Sequence, residues 1–179
     1  MIRTFLRSML KPLSFMPALC MMVVIYSFSA EDGASSSAFT YKVSVKVVET
    51  VDRVADLDLS QAEIEHYADR FHFLIRKCGH VTEYFLLAVS IALPLYVYGM
   101  RGIWLMLVAG RICVGFAALD EYHQLFVAGR GASKRDVAID SIGIFAGIIL
   151  TRIVGWTGRK TIFRPLCKKK KKRYRNAGA

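Results

Sequence analysis

Four apolar runs separated by polar segments organise this chain. Residues 12–30, 82–98, 103–119 and 137–154 contain at most two charged side chains each. All approach the roughly 20 residues, with about 17 as a minimum, that a helix needs to cross about 30 Å of hydrocarbon. Only Gly99 to Gly102 separates the second run from the third, so these two form an antiparallel helical hairpin. Pro94 is expected to kink the second run near its end. The pattern predicts an all-α polytopic membrane protein with four transmembrane helices and an outward helical segment, 31–81, between the first and second.

Within that segment, Glu31 to Phe39 reads as a loop because it is rich in serine, glycine and acids. Phe39, Val43, Val47, Val51 and Val54 then recur at three or four residues, which favours an amphipathic helix, although Tyr41, Val43, Val45 and Val47 also alternate as in a strand. Ser60 and Glu63 make a capping box that opens another helix. Its Ile64, Tyr67, Phe71, Leu74 and Cys78 share one face, expected on the outer membrane interface and leading into the second span.

Charge sets the orientation. The chain has 25 Lys and Arg against 14 Asp and Glu, a net charge of +11. Arg3, Arg7 and Lys11 precede the first run, and the tail carries Lys168 to Lys172; every acid lies between Glu31 and Asp140. Basic flanks stay on the cytoplasmic side. The expectation is a multi-pass cell-membrane protein with both termini cytoplasmic, divided into a basic N-terminus (1–11), a membrane domain (12–155) and a lysine-rich cytoplasmic tail (156–179). The first run also has a rival reading as a signal peptide with Ser29-Ala30 at its cleavage site, but Phe28 lacks the small side chain that site requires.

No zinc or helix-turn-helix pattern accompanies the positive charge, so a nucleic-acid partner is not expected. The bilayer is the expected partner. Cys20, Cys78, Cys113 and Cys167 include no C-x-x-C pair and point to neither a zinc site nor a disulfide framework.

The polar residues inside the apolar half carry the candidate chemistry. Lys77, His80, Glu83 and Tyr84 are spaced at three and four on the helix entering the second span, with Arg76 a turn before His80. Asp120, Glu121, His123 and Gln124 end the third span, Arg130 follows in the loop, and Asp136 and Asp140 begin the fourth. Ionisable groups at membrane depth are costly unless they meet partners or water, so three helices bringing them to one level predict one outward site. Gly143 and Gly147 would admit another helix closely, carrying Asp140 towards the cluster or serving as an oligomer contact. Read singly, each residue has a plainer role: His80 with Glu83 as a helix-aligning pair, Arg130 as a solvated loop charge, Glu121 as a water-facing acid. Arg111 lies mid-span, outside this pattern. The spacing fits no defined ligand set, so neither a metal nor another cofactor is expected.

Three stretches together resemble the VanZ-like membrane proteins: "YSFSAEDGASSS", "IRKCGHVTEYFLL" and "DEYHQLFVAGRGASKRDVAIDSIGIFAG". The resemblance covers Arg76, Lys77, His80, Glu83, Tyr84, Asp120, Glu121, His123, Gln124, Gly129, Arg130, Asp136, Asp140 and Gly143. Val127-Ala128, where the family commonly has a proline before its Gly-Arg pair, departs from the pattern, as does Arg111. The resemblance implies a cell-envelope protein associated with reduced susceptibility to teicoplanin-type lipoglycopeptides, and supplies no reaction.

Three functions follow as expectations. The first is a non-enzymatic site for a cell-wall precursor or lipid-linked anionic ligand, held by Arg130 with Lys77 or Arg76. The second is an interfacial hydrolase or transferase acting on a lipid-linked precursor, for which no activated serine or cysteine is recognisable. The third is a small transporter whose acids relay protons.

Overall fold

A computed structural model describes residues 12–160, which form five helices: α1 (Met16–Ser29), α2 (Gly33–Ala55), α3 (Gln61–Val97), α4 (Gly102–Gln124) and α5 (Lys134–Lys160). No strand occurs among the described residues. The basic segment 1–11 and the tail beyond residue 160 lie outside the described residues.

Among the described residues, three helices are long and apolar enough, by length and composition, to cross a membrane: α3, α4 and α5. Helix α1 has 14 residues, about 21 Å at 1.5 Å per residue, short of the expected first span. The expected second span is the apolar end of a single 37-residue helix, about 55 Å long, that begins at the capping box and continues through Pro94. Ser60 and Glu63 close that box reciprocally, with the Ser60 N–H donating to Glu63 Oε2 at 2.9 Å.

The expected loop over Glu31–Phe39 is instead helical from Gly33 onward. The Asp32 carboxylate accepts the N–H groups of Ala34 and Ser35 at 3.0 and 2.9 Å and starts α2. Beyond Val43, the valine stripe of α2 does not face the protein. Val47, Val51 and Val54 are exposed, whereas Ser44 and Val48 are buried, Val48 in a small cluster with Ile64 and Ala68 of α3. Tyr67, Phe71 and Leu74 of α3 are likewise exposed.

Helix α3 is the hub, packed against each of the other four. It folds back onto α4 through a turn in which Gly99 and Gly102 take positive φ values of 102° and 61°. Its closest partner is α5, and the two glycines explain why. A Cβ on Gly143 would collide with the Val81 carbonyl, and one on Gly147 would lie 2.6 Å from the Phe85 carbonyl oxygen. The surface expected to admit a helix closely receives the chain's own α3. Tyr84, Leu87, Ala88, Leu105, Ala109, Cys113, Ile144 and Ile148 complete the core where α3, α4 and α5 meet.

Candidate functional site

The α3–α5 approach brings polar residues from three elements to one level. Lys77 Nζ lies 2.6 Å from Asp136 Oδ2, joining the middle of α3 to the first turn of α5. One turn further along α3, His80 Nδ1 lies 3.5 Å from Glu83 Oε2. Deeper still, the buried Tyr84 hydroxyl donates to Asp120 Oδ2 at 3.2 Å, and the Gln124 amide donates to the same oxygen at 3.3 Å. Asp120 Oδ1 is buried without a hydrogen-bond partner.

Glu121 is not a water-facing acid. It is buried and accepts the Ser133 N–H at 2.8 Å, tying the end of α4 to the start of α5. The loop between them turns at Gly129, φ 72°, and lies directly on the start of α2. The Gly33 N–H donates to the Ala128 carbonyl at 2.9 Å, and a Cβ on Gly33 would strike the Gly129 carbonyl. Two residues that contribute no side chain thus hold α2 against the loop that carries Arg130.

Arg130 reaches back to α1, donating from Nη2 to the Phe28 carbonyl at 2.9 Å. Its Nε and Nη1 are buried with no partner. Burial first, and the nearby Arg76 charge second, press its pKa below the usual arginine value. The guanidinium nevertheless stays charged, which makes the place favourable for an anion.

A polar chamber of about 220 Å³ lies between these elements. Arg76, Lys77, His80, Glu121, Gln124, Arg130, Asp136 and Asp140 line it, with Phe73 at one side. Tyr84 and Asp120 do not line it but sit beneath it as a buried support. A second cavity of about 210 Å³ shares Arg76, His80 and Arg130 with the chamber and adds Glu83 together with Phe28, Phe39, Val43 and Ile75. His123 stands apart from both cavities, its ring 4.6 Å from that of Tyr26 on α1. Arg111 is exposed on α4, away from the chamber.

The polar residues of this arrangement carried a signal in their helical spacing. The apolar wall did not, because Phe28 and Phe39 look like ordinary membrane or interface residues until α1 and α2 are placed beside Ile75. Among the described residues, no three His, Cys, Asp or Glu side chains are grouped to hold a metal ion.

The VanZ/LLP1 family model matches residues 14–155, and the chain belongs to that family. No curated protein and no solved structure matches it.

Proposed function

We propose that this VanZ/LLP1-family membrane protein binds the anionic group of a lipid-linked cell-wall precursor in the polar chamber, and thereby lowers susceptibility to teicoplanin-type lipoglycopeptides. The observation that carries the reading is the junction of the two cavities at Arg76, His80 and Arg130. Lys77 is neutralised by Asp136, so Arg76 and Arg130 are the guanidinium groups of the chamber lining that remain available to a ligand. Arg130 keeps two buried donor nitrogens for it, and a guanidinium fork suits phosphate or carboxylate. Phe28, Phe39, Val43 and Ile75 offer an apolar wall beside those charges. A charged pocket that shares Arg76, His80 and Arg130 with an adjoining apolar-walled cavity matches an amphiphile better than a free polar solute.

In this reading α1 and the residues before it form a fourth crossing, both termini are cytoplasmic and the chamber faces outward. The support is the distribution of Lys and Arg at the two ends of the sequence.

The test pairs cells with purified protein. Expression of the wild type is expected to raise the teicoplanin concentration needed to stop growth, and the purified protein to retain a fluorescent polyprenyl phosphate. Arg76→Ala with Arg130→Ala is expected to abolish both effects. Unchanged susceptibility on expression, together with equal retention by wild type and variant, would end the proposal.

A further inference from the structure

The end of the helix bundle opposite the chamber carries a different constellation. Tyr96, Arg101, Gly102, Ile149, Arg152 and Trp156 line a groove of about 450 Å³ between the α3–α4 turn and the last turns of α5. Its floor is built by close packing: a Cβ on Gly155 would collide with the Tyr96 ring, so the glycine lets that ring lie on the α5 backbone. Arg101 stands over the same ring, its guanidinium carbon 5.6 Å from the centroid. Arg152 donates from Nη1 to Met106 Sδ at 2.7 Å, and a thioether is a weak acceptor that carries no charge.

Neither arginine has a carboxylate partner among the described residues. The sequence offers none nearby, because no Asp or Glu occurs between Tyr84 and Leu119 or between Ser141 and residue 160. Two guanidinium groups in one groove therefore have unspent charge, together with the planar donor geometry that a phosphate accepts.

The surroundings say where that phosphate would come from. Trp104 and Trp156 are the chain's two tryptophans, and both are exposed at this end. Tryptophan favours the headgroup level of a bilayer. Ile149 and Ile153 are exposed on α5 in the turns before Trp156, so a headgroup-level Trp156 would put them at the depth of acyl chains. From Arg101 to Asp120 along α4 is about 28 Å at 1.5 Å per residue, close to the hydrocarbon thickness, so groove and chamber lie at opposite membrane faces.

We infer that Arg101 and Arg152 form a binding site for the phosphate of an anionic phospholipid, whose chains run along Ile149 and Ile153. The site is separate from the chamber and does not depend on the function proposed for it. Basic grooves between transmembrane helices at a headgroup level are suited to such ligands.

The full-length protein in detergent would be titrated with phosphatidylglycerol, phosphatidylcholine and inorganic phosphate, and bound lipid counted by native mass spectrometry. Phosphatidylglycerol is expected to outlast phosphatidylcholine, and Arg101→Gln with Arg152→Gln to weaken its retention by about tenfold or more. Lys42→Gln with Lys46→Gln, on exposed α2, removes the same charge elsewhere and is expected to leave retention unchanged. Equal retention of the two lipids, equal loss in both double variants, or displacement of the lipid by inorganic phosphate at comparable concentration would overturn the inference. Wild-type protein supplies an independent reading: a photoactivatable phosphatidylglycerol is expected to label the peptide containing Ile149–Trp156, and labelling spread evenly over the helices would also overturn it.

Discussion

Lys77 and Asp136 form a 2.6 Å ion pair that ties the middle of the longest helix to the first turn of the last one, at the wall of the polar chamber. Both side chains are partly shielded from solvent, at 17% and 29% exposure, so the pair lies between a surface contact and a buried one. Removing one partner leaves a charge only half hydrated. Lys77→Ala or Asp136→Ala should each cost about 1–3 kcal/mol. Exchanging the two residues should recover part of that loss. Denaturant unfolding in detergent, arranged as a double-mutant cycle, measures the coupling, and simple additivity of the two single losses would refute it.

Gly143 and Gly115 make opposite predictions from the same substitution. A methyl at Gly143 would enter the space of the Val81 carbonyl, whereas one at Gly115 meets nothing within 4 Å. Gly143→Ala should destabilise by about 1–3 kcal/mol through overpacking and push Asp140 away from His80. Gly115→Ala should be neutral or stabilise by up to about 1 kcal/mol, through helix propensity. Thermal unfolding of the two variants side by side decides whether the α3–α5 approach is as close as described.

The cap on α2 gives a pH dependence with a defined sign. Asp32 accepts from Ser35 and Ala34, and these hydrogen bonds, Ser35 foremost, hold its pKa below the usual carboxylate value. A group with a lowered folded-state pKa contributes stability above its unfolded value and loses it as pH falls through the folded one. The Asp32→Ala variant should therefore differ from wild type at neutral pH and converge with it as pH falls below about 3.9. Amide hydrogen exchange at Ala34 and Ser35 reads the cap directly, and a difference that persists undiminished in acid would count against it.

The sequence made the helical class legible because hydrophobic periodicity and the Ser60–Glu63 box are local signals. It misread Gly33–Phe39 as a loop because serine and glycine have weak helix propensity, and a single capping aspartate outweighed composition. The valine stripe of α2 was legible as helical spacing, but not the side it faces. In a membrane protein apolar residues also belong on the outside, and the buried face is set by small contacts such as Ser44 and Ala68. Helical spacing marked the lining residues that α3, α4 and α5 carry, but not Arg130 of the loop, and the separation of His123 depended on how α1 packs beside α4. Gly33 could not be read as a contact with Gly129, since that contact joins segments almost a hundred residues apart through backbone alone.

The anchoring contact of Arg130 and the ligand contact proposed for it together distinguish it from any lysine. One nitrogen secures the Phe28 carbonyl while Nε and Nη1 remain buried and unengaged, so the proposed function would spread anchoring and ligand recognition over a single rigid fork. A lysine ammonium is one point charge and cannot occupy both positions. Arg130→Lys should keep unfolding stability within about 1 kcal/mol, because the net charge and one hydrogen bond to the Phe28 carbonyl of α1 can be retained. The same variant should lose about tenfold or more in retention of a polyprenyl phosphate, because the bidentate contact is gone. Parallel denaturation and ligand titration on the one variant separate the two roles. Retention at the wild-type level would show that the Arg130 fork is not what holds the anion, and a matching collapse of stability would make Arg130 a structural strut between α1 and the α4–α5 loop.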